Sequence, residues 1–111
     1  MAAVVTASLI AALAQTGSAG TPLHVPSDPK AAYTILEVGG TWPDRTVITR
    51  RDGPSGVSYS KRLYDCENST VKYLGSGDSL EAMEKSKPDP QMAPIADNSI
   101  AYYVGLEICK R

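Results

Sequence analysis

Two cysteines, Cys66 and Cys109, are the residues of this chain best placed to do covalent chemistry. Dithiol redox catalysis wants a closely spaced pair such as Cys-x-x-Cys with a depressed thiol pKa. Nothing here has that spacing, so a structural disulfide is the expectation. It would close a loop of about 40 residues, worth about 4 kcal/mol on the chain-entropy account. Such a bond needs an oxidising compartment, and the N-terminus fits one. Met1 to Ala14 is uncharged and almost continuously apolar. Ala12-Leu13-Ala14 offers the small-x-small pattern of a signal-peptidase site, and Gly17-Ser18-Ala19 offers a second. As a helix the stretch reaches about 20 Å, short of a hydrocarbon core of about 30 Å. Residues 1–19 therefore read as a signal peptide and the protein as periplasmic or secreted. The alternative is an uncleaved N-terminal helix packed on the domain, or docking the chain as an accessory subunit into a membrane or oligomeric complex.

Other chemistry is thinly represented. The one histidine, His24, lies between Leu23 and Val25 in a Pro-rich stretch with no fixed partner. Two distant cysteines without clustered histidines do not make a zinc site, so no metal is expected. Gly75-Ser76-Gly77 lacks the third glycine and the lysine of a phosphate loop. No serine sits in a Gly-x-Ser-x-Gly elbow, and without a structured histidine no triad assembles. The carboxylate pairs Asp65 with Glu67 and Glu81 with Glu84 lie beside turns or on a short solvated helix. No enzyme and no cofactor are expected. Asn68-Ser69-Thr70 matches the glycosylation acceptor pattern. Arg45, Arg50, Arg51, Lys61 and Arg62 form a basic grouping that cross-strand pairing could gather into an anion-binding patch. The plainer alternative is a charged sheet edge that discourages aggregation.

These residues need elements to position them. Gln15 to Lys30 is rich in Gly, Ser, Thr and Pro, so residues 20–32 read as a flexible lead-in. Strands are expected over Tyr33–Val38, Arg45–Arg51, Val57–Asp65 and Thr70–Leu74. Gly39-Gly40 with Trp42-Pro43-Asp44 breaks the first from the second. Asp52-Gly53-Pro54-Ser55-Gly56 turns the second into the third as a hairpin. The third alternates, with Val57, Tyr59, Lys61 and Leu63 on one face and Ser58, Ser60, Arg62 and Tyr64 on the other. Asp78 and Glu81 resemble a capping box for a short helix over Ser79–Lys85. Lys87 to Asp97, with three prolines, reads as a surface loop. Ser99 to Cys109 is ambiguous. Ile100, Tyr102, Val104, Leu106 and Ile108 alternate like a strand, while Asn98 and Ser99 are good helix N-caps.

At 111 residues the chain is one domain. Its 11 basic and 12 acidic residues leave a net charge of −1, which gives no reason to expect nucleic acid as a partner. It has six Tyr and no Phe.

Tyr64-Asp65-Cys66, Thr70 to Gly75, Asn98-Ser99-Ile100 and Cys109-Lys110 together resemble the bacterial surface-adhesin E family over residues 33–111. The resemblance implies an α+β domain: an antiparallel sheet of four to six strands, with a C-terminal helix tied to it by a Cys66–Cys109 disulfide. It thereby selects helix for the last segment. It also implies a non-enzymatic envelope protein with a binding or structural role towards a protein or glycan, a homodimer being one form open to it. Better-known members are lipid-anchored adhesins for host matrix proteins, some dimeric with haem affinity. This chain departs from them in having no cysteine beside the apolar stretch, and in placing its sole histidine in the lead-in.

Overall fold

The computed structural model describes residues 20–111; the expected signal peptide, and the alternative docking helix, lie outside the described residues. Six strands form one antiparallel sheet in sequence order: β1 (Thr21–Leu23), β2 (Ala32–Thr41), β3 (Asp44–Gly53), β4 (Gly56–Asp65), β5 (Thr70–Gly77) and β6 (Ala93–Pro94). Helix α1 (Leu80–Lys85) follows β5, and helix α2 (Ile100–Ile108) follows β6. Sheet dominates, so the fold is α+β only in a coarse sense. Among the described residues no helix is long and apolar enough to cross a membrane.

The punctuation of the sequence sets the hairpins. Thr41 pairs with Asp44 across Trp42-Pro43, whose peptide bond is cis. Gly53 pairs with Gly56 across Pro54-Ser55, and Gly56 takes φ 121°, a conformation open to glycine and strained for other residues. At the β4–β5 turn the Asp65 carboxylate accepts from the amides of Glu67 and Asn68 and from Asn68 Nδ2. That occupies the side chain of the glycosylation-like triplet.

Two short strands lie where loop was expected. In the lead-in, Thr21–Leu23 pairs with Tyr33–Ile35 as the edge strand β1, and Val25 is buried. In the expected loop Lys87–Asp97, Ala93 and Pro94 pair with Val71 and Thr70 at the opposite edge. Each edge strand carries a proline, which an outer strand tolerates because one side of its ladder faces solvent.

Register shifts place one extra residue in β2 and one in β5. Ile35 pairs with Thr49 but Glu37 with Ile48, leaving Leu36 extra. Lys61 pairs with Gly75 but Arg62 with Tyr73, leaving Leu74 extra. Such bulges re-aim side chains. The second turns Tyr73 to the face of Arg62 and Gly75 to the face of Lys61.

The helices take opposite faces. A side chain at Gly75 would collide with Met83 of α1, and Lys61 reaches Glu84 at 3.9 Å. A side chain at Gly105 of α2 would meet the Tyr64 ring at 2.8 Å. The α2 face holds the core: Ile35, Val47 and Tyr64 of the sheet against Val104 and Ile108. Both helices are capped by serine. Ser99 accepts from the Tyr102 amide. For α1 the cap is Ser79, accepting from Ala82, rather than the expected Asp78. Asp78 stands one residue too early, because the extended residue that precedes the first helical turn is Ser79, and Glu81 pairs instead with Lys85 at 3.2 Å.

Candidate functional site

The α2 face of the sheet has two halves. One is closed by the disulfide. Cys66 follows β4 and Cys109 caps α2, with S–S 2.04 Å, Cα–Cα 5.6 Å and a separation of 43 residues. Neighbouring groups reinforce the bridge: Trp42 Nε1 donates to the Cys109 carbonyl at 3.2 Å, and Arg45 Nη2 to the Arg111 carbonyl at 3.2 Å. The buried Tyr64 hydroxyl donates to the Ala101 carbonyl at 2.7 Å, anchoring the first turn of α2. Burial pushes the Tyr64 phenol well above its ordinary pKa. Beside the bridge lies a groove of about 410 Å³, with Cys66, Ile95, Tyr102 and Leu106 on its walls.

Beyond the N-terminus of α2 the same face turns polar. Tyr33, Thr49, Ser60, Arg62 and Tyr73 border a cavity of about 150 Å³, with Ile100 on its helix side. Arg62 is 3% exposed, an unusual state for a cation on a central strand. Its Nη1 donates to Thr49 Oγ1 at 2.9 Å and its Nη2 to the Tyr73 hydroxyl at 3.3 Å. Its guanidinium carbon lies 4.9 Å from the Tyr73 ring centroid. Among the described residues Nε has no partner and no carboxylate forms a salt bridge to Arg62. The ring stack contributes about 0.5–2 kcal/mol, whereas burying an ion costs several kcal/mol. The two hydroxyls supply dipoles but no counter-charge.

Arg51, also bordering the cavity, is differently placed. Its Nε donates to Asp28 Oδ2 at 2.8 Å, its Nη2 reaches Asp28 Oδ1 at 3.3 Å, and Tyr33 donates to Asp28 Oδ2 at 2.7 Å. The Arg51 hydrogen bond, then that of Tyr33, holds the Asp28 carboxyl below its usual range. Burial first, and Asp28 second, push Tyr33 up to about 12.

The five cations of the expected patch are thus divided. Arg45, Arg51 and Arg62 project from the α2 face; Arg50 and Lys61 project from the other, where they meet Asp52 at 3.8 Å and Glu84 at 3.9 Å. Only Arg51 and Arg62 border one cavity. The charged-edge alternative fails, because β3 and β4 are the two central strands. His24 is exposed, and among the described residues no three His, Cys, Asp or Glu side chains group to hold a metal.

Sequence reasoning named Arg62 but missed Thr49, Tyr73 and the burial that joins them. The cross-strand step from Arg62 to Tyr73 depends on the extra Leu74, which has no local signature. No protein-family model, curated protein or solved structure matches the chain.

Proposed function

We propose that this is a non-enzymatic, exported protein of the bacterial envelope, of surface-adhesin E type, that binds a ligand through the α2 face of its sheet. The observation that carries the reading is the Cys66–Cys109 bridge, which ties a C-terminal helix to the end of a central strand. A disulfide of this kind belongs outside the cytoplasm. The sheet, the terminal helix and their covalent tie agree with what the family resemblance implies. The titratable groups with displaced pKa values move away from neutrality: Tyr33, Tyr64 and Arg51 upward, Asp28, Asp65 and Glu107 downward. General acid–base catalysis favours the reverse, a group tuned towards the working pH.

Protein recovered from its native host tests the reading. It should show no free thiol and an intact mass lacking residues 1–14 or 1–19. Immobilised, it should retain a partner from envelope extracts that the reduced protein does not. Free thiols on both cysteines together with an uncleaved leader would overturn export, and substrate turnover would overturn the binding role.

A further inference from the structure

We infer that the Arg62 cavity is a binding site for a carboxylate group, the guanidinium of Arg62 supplying the charge and the Nη N–H groups not spent on Thr49 and Tyr73 the donors. The inference rests on the α2 face being the binding surface and adds the chemistry of the ligand.

Three observations converge. Arg62 is buried without a counter-ion among the described residues, and its Nε is unpaired. Asp28, the acid bonded to two residues of the cavity wall, is held by Arg51 and Tyr33. The space beside Arg62 is about 150 Å³, room for about five waters at liquid density, and so for one acidic group rather than a large ligand. Arginine presents N–H groups in a planar fork that matches the two oxygens of a carboxylate. In Arg62 that fork is fixed in place by Thr49 and Tyr73. Ser58 and Ser60, also on the cavity wall, add hydroxyls able to hydrogen-bond the oxygens or the neighbouring part of the ligand. The bulge at Leu74 makes the arrangement possible by bringing Tyr73 opposite Arg62.

The carboxylate could arrive on a sugar acid or on an amino acid, and the two are separable by experiment. Disulfide-intact protein is titrated at constant ionic strength with acetate, glucuronate, N-acetylaspartate, phosphate and sulfate, and followed by nitrogen–proton NMR. Carboxylates should shift the Arg62 Nε–H and the amides of Thr49, Ser60 and Tyr73 along saturable curves. Glucuronate binding more tightly than N-acetylaspartate identifies a saccharide source, and the reverse order an amino-acid source; either supports the site. R62K keeps the charge without the fork and should weaken binding about tenfold. R62M should abolish it, together with the rise in thermal midpoint that a bound carboxylate produces. Shifts that grow linearly, scatter over the surface or persist in R62M overturn the site. Tighter binding of phosphate or sulfate than of any carboxylate overturns the ligand class. Should R62M not fold, the wild-type Nε–H titration and R62K decide. None of these outcomes alters the leader or the disulfide, so failure here is distinct from failure of the export reading.

Discussion

The two halves of the α2 face are built from the same strands and stabilised by opposite means. Under the helix, Val47 and Tyr64 pack against Val104 and Ile108, and a disulfide holds the helix C-terminus down. Beyond the helix, buried positions of the same strands carry Thr49 and Arg62. An apolar residue at either place would pack without needing a partner. The first half therefore maximises cohesion. The second keeps a charge that cohesion does not require, and this difference is why the carboxylate site is proposed there.

The sharpest test of the contrast is to open the first half. Replacing Cys66 and Cys109 together by alanine should cost about 4 kcal/mol, a large part of the 5–15 kcal/mol typical of a domain. Denaturant unfolding measures it; a loss below about 1 kcal/mol would show that the helix is held by packing alone. Ile108→Ala removes a fully buried side chain and should cost about 2–4 kcal/mol by the same measurement. Arg62→Met is expected to leave stability unchanged or raise it by about 1–2 kcal/mol, because a buried charge gives way to a hydrophobe of similar length. If it destabilises as much as Ile108→Ala, the two halves are not different in kind.

Acid and alkali give the smallest effects. Asp28 has a depressed pKa in the folded chain, so its contribution is present above the unfolded value of about 3.9 and is lost as pH falls through the folded one. Asp28→Asn should remove part of the drop in stability below about pH 4. Tyr33 is raised to about 12, so its contribution is complete below the unfolded value of about 10 and disappears as pH climbs through about 12. Tyr33→Phe should flatten that alkaline decline in a thermal-shift series.

The four long strands were legible because glycine, proline and Asp/Asn turn residues separate them. The edge strands were not, since Pro22 and Pro94 read locally as loop and only a neighbouring strand recruits them. Alternation sorted β4 into its two faces but not into core and solvent. The set with more polar residues, Ser58, Ser60, Arg62 and Tyr64, contains both buried residues of that strand. In α2 the period-two pattern misleads. Leu106, which fits it, is 55% exposed, while Gly105, which breaks it, is buried against Tyr64. The serine cap was the truer local signal. The cysteines were legible as a pair; the cavity was not, because it is assembled by tertiary placement, with Tyr73 set against Arg62 and Ile100 on its helix side.

The outermost strands have a consequence for how copies of this protein meet. β1 and β6 are three and two residues long, and each contains an imino acid with no N–H to donate. A strand from another molecule arriving at either of these two strands finds a short ladder with a rung missing. Lateral pairing along these two strands has little to grip.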